Sequence, residues 1–127
     1  MTGAYETLFR WNDWQGRSTR TEYWMFVLFS VIGLIVLFCI YGVLMWITGA
    51  PAGGVINIIL GLALALVWLW ATVAQLAVAV RRLHDIGFSG WWQLLIVLPM
   101  LSLVLLIFYC LDSQPGDNRF GPNPKFE

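Results

Sequence analysis

The side chains best suited to chemistry lie in one short stretch, RRLHDIGFSGWW, which contains Arg81, Arg82, His84, Asp85 and Ser89. A histidine beside a carboxylate can act as a tuned general acid or base, and the serine is the only nearby nucleophile. A lone His-Asp step is common in loops, and a serine before an apolar run is more often a helix cap. Two ligand types at adjacent positions cannot complete a metal coordination sphere. We therefore predict no enzymatic activity and no metal site.

This polar stretch interrupts a very apolar chain. Of 127 residues, 11% are charged and 60% are hydrophobic, whereas soluble proteins average about 25% charged residues. No Asp, Glu, Lys, Arg or His occurs from Tyr23 to Val80, and none from Ile86 to Leu111. A soluble domain this small cannot hide such runs from water. The composition predicts a polytopic membrane protein with one domain, residues 1–127, and its zero net charge gives no indication of nucleic-acid binding.

Three apolar segments, about 23–47, 55–79 and 91–111, reach the roughly 20 residues needed to cross about 30 Å of hydrocarbon. Lipid offers no partners to backbone N–H and C=O groups, so each must be helical. The predicted fold is an all-α membrane protein with three transmembrane helices. A cytoplasmic leader, 1–22, precedes them, and an irregular, turn-rich tail, 112–127, follows.

Local signals mark the helix ends. Thr19 and Glu22 have the spacing of a capping box before the first span. Gly87 or Gly90 is predicted to end the second helix, and Ser89 to cap the third.

Pro99 is predicted to kink the third helix. Ser102 lies close enough in sequence to help satisfy the carbonyl that the proline frees. Both residues are therefore predicted to have a structural role.

The Lys and Arg residues predict the orientation. With three spans, five of the seven basic residues lie on the side of the N-terminus and two on the other side, so the N-terminus is predicted to be cytoplasmic and the tail external. If one segment re-entered the membrane instead, the tail would return to the cytoplasm. The five are Arg10, Arg17, Arg20, Arg81 and Arg82, and the two are Arg119 and Lys125.

Tryptophans near the ends of the spans are typical of interface anchors. These are Trp24, Trp46, Trp91 and Trp92. Aromatic and apolar residues in the leader predict a short helix lying in the interface. They are Tyr5, Leu8, Phe9, Trp11 and Trp14.

Small and polar residues recur along one face of the second span at steps of three and four. They predict a surface that packs against the other spans or a partner protein. None of them ionises, so a proton relay is not expected. The face comprises Asn57, Gly61, Ala65, Trp68, Thr72, Gln75 and Ala79.

Cys39 and Cys110 both lie in apolar runs and are predicted to be small buried hydrophobes rather than a disulfide or redox pair. Without clustered histidines they make no zinc site. No cofactor is expected.

Three motifs together resemble a known bacterial family. They are GRSTRTEYW at 16–24, RRLHDIGFSGWW at 81–92 and GDNRFGPNP at 116–124. In order and spacing they are similar to those of the small inner-membrane proteins grouped as domain of unknown function 805. The resemblance implies a fold and a location in the bacterial inner membrane, and no reaction.

Five residues are predicted to form a rim on the cytoplasmic side: Arg17, Arg20, Arg81, Arg82 and His84. In the structural interpretation the arginines anchor helix ends, pair with Glu22 and Asp85, and bond to C-terminal carbonyls. In the functional interpretation the rim binds lipid phosphates or an acidic loop of a partner.

We expect a non-enzymatic protein that acts by association with membrane lipids and other integral membrane proteins. An accessory subunit of a larger respiratory or photosynthetic complex is the leading hypothesis. A small carrier or lipid-binding protein that uses the arginine rim is the second, and an enzyme using His84 and Asp85 is the third.

Overall fold

The computed structural model describes residues 13–126. In this part of the chain the regular secondary structure is helical, which confirms the all-α class. The predicted leader helix around Trp11 lies largely outside the described residues, and Trp14 is exposed. The elements are α1 (Arg20–Thr48), α2 (Val55–Asp85), a 3₁₀ helix (Gly90–Val97), α3 (Pro99–Cys110) and a short C-terminal 3₁₀ turn (Pro124–Phe126).

Two of these helices are long and apolar enough to cross a membrane. α1 has 29 residues and α2 has 31, so at about 1.5 Å per residue each exceeds the roughly 30 Å of a bilayer's hydrocarbon core. They contain the predicted spans 23–47 and 55–79. α2 continues to Asp85, six residues past the end of the predicted apolar span, and the charged residues of its last turns are neutralised by contacts described below.

The predicted caps of the long helices are present. The backbone N–H of Glu22 donates to Thr19 Oγ1 at 3.1 Å, and the N–H of Thr19 donates to Glu22 Oε2 at 3.1 Å, which completes the capping box. Gly87, at φ 88°, ends α2. The N–H of Phe88 donates to the Leu83 carbonyl and that of Gly87 to the His84 carbonyl, the pattern of a Schellman motif.

The expected continuous helix over 91–111 is wrong. Leu98 has extended backbone angles, φ −104° and ψ 106°, and Pro99 begins a separate helix, α3. A proline fits the first position of a helix but not its interior, so the predicted kink is a complete break. Ser89 caps the 3₁₀ helix through the N–H of Trp91, and Ser102 Oγ donates to the Pro99 carbonyl at 2.6 Å.

The 3₁₀ helix and α3 fold back on one another. The Tyr109 hydroxyl donates to Gln93 Oε1, although sixteen residues of straight α-helix would separate these positions by about 24 Å. The ring of Phe108 lies 5.9 Å from that of Trp92 and 4.7 Å from that of Phe88, between centroids. Residues 90–110 therefore form a helical hairpin, and the two ends of the hairpin lie together.

The hairpin packs in the first of two compact units, which includes the described residues 13–27 and 73–126. The Tyr23 ring lies 4.5 Å from the Tyr109 ring, between centroids. The core joins the start of α1, the end of α2 and the hairpin. It consists of Tyr23, Phe26, Ala74, Val78, Ala79, Leu83, Leu105 and Tyr109.

The second unit, Leu28–Thr72, contains the remainder of α1 and α2. A side-chain hydrogen bond joins the two helices in this unit: the Tyr41 hydroxyl donates to Asn57 Oδ1. On the predicted packing face Asn57 and Gly61 are half-buried, whereas Ala65 and Trp68 are exposed. The described part of the chain therefore leaves much of the surface of those two residues uncovered.

Several side chains in the apolar segments face outward. The predicted anchors Trp24, Trp46, Trp91 and Trp92 are all exposed. Cys39 and Cys110 are free thiols and are exposed, so the expectation that the chain itself buries them is wrong.

Candidate functional site

The charged residues converge where the start of α1, the end of α2 and the tail meet. We call this the arginine–aspartate cluster and define it by Arg17, Arg82, Asp85 and Ser113. Arg82 and Asp85 are 0% exposed and Arg17 is 6% exposed. Buried charges must be paired and hydrogen-bonded to be tolerated, so the partner of each group decides what the cluster can do.

Asp85 is the centre of the cluster. Its Oδ1 accepts from Arg17 Nε at 3.0 Å, and its Oδ2 accepts from Arg82 Nη1 and Ser113 Oγ. Its backbone carbonyl accepts from Arg17 Nη2 at 3.2 Å and from the N–H of Gln114 at 2.9 Å. The carboxylate is therefore enclosed by donors on both oxygens, a strongly charge-assisted arrangement.

Arg17 fastens the tail to the end of α2. Besides its two bonds to Asp85, its Nη1 donates to the carbonyls of Gly116 at 2.8 Å and Gly121 at 3.3 Å, and its Nη2 donates to that of Gln114 at 2.8 Å. These contacts employ all five guanidinium donors. A lysine, with three donors on a single nitrogen, could not reproduce this set.

Arg82 binds the end of the hairpin. Its Nε donates to the Tyr109 carbonyl at 3.3 Å and its Nη2 to the Leu111 carbonyl, both at the end of α3, where carbonyls lack helical partners. Burial lowers the pKa of Arg82, and the Asp85 carboxylate opposes that shift. Arg20 adds a weaker contact from Nη1 to the Cys110 carbonyl at 3.4 Å.

The five predicted rim residues thus have different surroundings. Arg17 and Arg82 are enclosed as described, and Arg81 is also buried, with Nη1 3.9 Å from the Asp13 carboxylate. Arg20 is exposed and His84 is partly buried. Arg17 and Arg82 pair with Asp85 and bond to backbone carbonyls, which are two of the contacts that the structural interpretation expects.

His84 belongs to a stack beside the cluster. Its ring lies parallel to that of Phe120, 4.0 Å between centroids, and the Arg119 guanidinium lies 4.6 Å from the centre of the Phe120 ring. His84 Nδ1 is 3.1 Å from the Gly16 carbonyl. Burial lowers the pKa of His84; the bond to Gly16 opposes this shift and Arg119 adds to it.

The tail has a defined fold of its own. Asn118 pairs with Gly121 in an isolated bridge, and its side-chain amide donates to the His84 carbonyl at 3.0 Å. Asn123 is buried and donates to the Gln114 carbonyl at 3.3 Å. The turn-rich tail is therefore irregular, as predicted, but fixed to the end of α2.

The contacts place the tail on the same side as the loop after α2. The expectation that the tail lies on the opposite side, which followed from three crossings, is wrong. Sequence reasoning did not identify Ser113, Gln114 or Asn118. Gln114 makes its contacts with Arg17 and Asp85 through its backbone, Asn118 donates to the backbone carbonyl of His84, and Ser113 pairs with Asp85, which is distant in sequence. The clustering of Gly and Pro in the tail is a sequence signal for the tight turns that expose such carbonyls.

The arrangement is better suited to holding the start of α1, the end of α2 and the tail together than to catalysis. His84 and Asp85 are adjacent in sequence, yet no hydrogen bond joins their side chains among the contacts described: one faces Gly16 and the other the two arginines. Within residues 13–126 no group of three or more His, Cys, Asp or Glu residues is placed to hold a metal ion.

Two long apolar helices with an ionic cluster at their charged ends define a helical membrane protein. The chain belongs to the family described as Protein of unknown function (DUF805), whose model matches residues 11–122. All of the first two motifs and most of the third lie within this match. The first two supply Arg17, Arg82 and Asp85 to the cluster, and the third supplies the Gly116 and Gly121 carbonyls that Arg17 contacts.

Two inner-membrane proteins of Escherichia coli K12 are similar to the chain. Inner membrane protein YhaH is 41% identical over 114 residues, covering 89% of this chain and 88% of that protein. Inner membrane protein YhaI is 41% identical over 117 residues, covering 87% and 85%. These relatives and the apolar helices support an inner-membrane protein. No solved structure matches the chain.

Proposed function

We propose that the protein is a non-enzymatic membrane protein that acts by associating with another integral membrane protein, as an accessory subunit. The observation that carries the proposal is the outward-facing apolar surface of α1 and α2. In the most apolar stretch of α1 none of the residues is buried within the chain, and in that of α2 only 6% are. Most of the surface of these stretches therefore meets lipid or protein.

The face of α2 around Trp68 supports a protein partner rather than lipid alone. Trp68 is 55% exposed and lies in the middle of an apolar span, away from the interface that tryptophans prefer. Gly61 and Ala65 precede it with the spacing that lets helices approach closely. The Thr72 hydroxyl donates to the Trp68 carbonyl at 2.9 Å, so it is satisfied without a partner.

The cluster supports a non-enzymatic role and gives no support to the carrier or lipid-binding alternative. The His84 and Asp85 side chains are committed to separate partners, and the guanidiniums of Arg17 and Arg82 are occupied by carbonyls and a carboxylate. Opening this set to bind an anion would leave buried charges unpaired.

Site-specific photocrosslinking in intact cells tests the proposal. A photoreactive residue at Trp68 is expected to give one discrete crosslinked protein product. At Leu62, an exposed apolar residue outside the predicted packing face, the same probe should react mainly with lipid.

The product must also disappear when Gly61→Leu and Ala65→Leu enlarge the face without disturbing the cluster. Equal crosslinking at both positions, or migration as a lone monomer from mild detergent with no product at Trp68, would overturn the proposal.

A further inference from the structure

The hairpin formed by residues 90–110 has an apolar surface that the chain leaves uncovered. Exposed apolar side chains cover both of its arms and its tip, and Met100, directly after the break, is 83% exposed. No charged residue occurs between Gly90 and Cys110. In water this would be a large apolar patch, so something apolar must cover it.

We propose that the hairpin is a re-entrant membrane element, covered by the acyl chains of a single leaflet, and that the chain crosses the bilayer only twice, through α1 and α2. The occupant of the surface is lipid hydrocarbon. The proposal goes beyond association with a partner and does not depend on it.

The length of each arm fits one leaflet. The 3₁₀ helix has 8 residues and α3 has 12, which gives about 16 Å at 2.0 Å per residue and about 18 Å at 1.5 Å per residue. A leaflet contributes about 15 Å of hydrocarbon, half of the bilayer core. Neither arm can cross alone, and the bonds between the arms prevent them from extending end to end.

The hairpin begins five residues after Asp85, just beyond the turn that ends α2, and its C-terminal end is fixed at the arginine–aspartate cluster. The Leu111 carbonyl accepts from Arg82, and the N–H of Gln114 donates to the Asp85 carbonyl. A cluster with two arginines and an aspartate is costly in hydrocarbon and marks the membrane surface. Trp91 and Trp92, at the start of the first arm, are exposed at the level that tryptophans prefer.

Several backbone groups at the tip are bonded within the chain, which favours a position in lipid. The N–H of Leu98 donates to the Leu95 carbonyl at 3.0 Å, and the Leu98 carbonyl accepts from the N–H of Ser102 at 2.9 Å. Pro99 has no N–H to satisfy. The polar side chains of the arms are also bonded, Gln93 with Tyr109 and Ser102 with the Pro99 carbonyl.

The first test determines which side of the membrane each end of the hairpin faces. Single cysteines at Ser89, Asp112 and Ala52, each exposed or partly exposed, are placed in a full-length chain in which Cys39 and Cys110 are alanine. In sealed vesicles of one orientation an impermeant maleimide should label positions 89 and 112 together, and position 52 only from the other side. Labelling of 112 with 52 would show a third crossing and overturn the proposal.

The second test identifies what covers the tip. A nitroxide at Val97 or Met100 in phospholipid vesicles should collide with oxygen much more often than with a water-soluble nickel chelate, and the label at Asp112 should show the reverse. Frequent nickel collisions at the tip would show water. Few collisions with either quencher would show a protein cover, and each of these results overturns the lipid assignment.

These outcomes are separable from the proposed association. Crosslinking at Trp68 reports on α2 in the second unit, whereas both measurements here report on the hairpin. Either proposal can fail while the other stands.

Discussion

Asp85 is the residue that the surrounding charges depend on most. Its carboxylate is the shared acceptor of Arg17 and Arg82, and all three side chains are buried. Two buried guanidiniums without an anion repel one another and are poorly solvated. Breaking a buried pair by removing one partner is therefore much more costly than losing an exposed pair.

We predict that Asp85→Asn destabilises the protein by about 3–5 kcal/mol, because it leaves buried positive charge uncompensated. Reversible unfolding in mixed micelles measures the change. Asp112→Asn is the matched control, since Asp112 pairs with Lys125 at the exposed surface and should change stability little. Equal effects of the two substitutions would show that the cluster is not the stabilising feature.

Gly87 is required by backbone geometry. At φ 88° an L side chain is strained, and a Cβ would lie 2.6 Å from Gln114 Oε1. We predict that Gly87→Ala lowers the free energy of unfolding by about 1–2 kcal/mol from the left-handed conformation alone. Gly53→Ala, where a Cβ meets open space, is the control in the same assay and should have a smaller effect.

His84 gives the stability a pH dependence with a defined sign. Burial lowers its pKa in the folded protein, so the unfolded chain binds the proton more readily and stability decreases as the pH falls through about 6.5. We predict that His84→Gln removes part of the loss between pH 7.5 and 5.5, measured as the difference between the two unfolding curves. Identical pH profiles for the variant and the parent would contradict this role.

At the level of the elements, α1 and α2 follow from the sequence because their signals are local. The long uncharged runs require helices in lipid, the Thr19–Glu22 spacing is that of a capping box, and Gly87 ends α2. The family resemblance also singled out the three motifs whose residues or carbonyls meet at the cluster. It could not indicate which groups in those motifs contact one another.

The structure of the third apolar segment could not be predicted in the same way. A crossing helix and a hairpin satisfy hydropathy equally, and the choice depends on Pro99 together with the distant pair Gln93 and Tyr109. For the site, the sequence predicts a rim of arginines that either pair within the chain or bind lipid phosphates or a partner. Their partners here include backbone carbonyls of the tail, which side-chain identities do not reveal.

The tail is expected to stabilise the end of α2 as an element. Ending the chain after Leu111 removes the carbonyls of Gln114, Gly116 and Gly121 from Arg17, and the Ser113 hydroxyl from Asp85. We predict a large loss of membrane-integrated protein and a lower midpoint of thermal unfolding in detergent. Ending the chain after Pro124 keeps these contacts and should have little effect; similar behaviour of the two truncations would refute the prediction.

For the whole molecule, the position of the tail changes the charge balance used to assign orientation. With the tail beside the loop after α2, all seven Lys and Arg residues lie either at or before the first residue of α1, Arg20, or after Val80. The connection between α1 and α2, residues 49–54, has no charge. The asymmetry becomes seven to zero instead of five to two, which strengthens the expectation of a cytoplasmic N-terminus.

Reporter fusions in a bacterial host test that orientation. Green fluorescent protein joined after Glu127 is expected to fluoresce, and alkaline phosphatase joined there to be inactive, because the tail shares the cytoplasmic side with Arg81 and Arg82. Phosphatase placed in the turn after Ala52 should be active, since that turn follows one crossing. The pair of positions separates the possible topologies: activity at both would mean a third crossing, and activity only after Glu127 would mean that the protein is inverted. Either pattern would remove the basis for a cytoplasmic cluster, whereas fluorescence after Glu127 with phosphatase activity only at Ala52 requires two crossings and a returning tail.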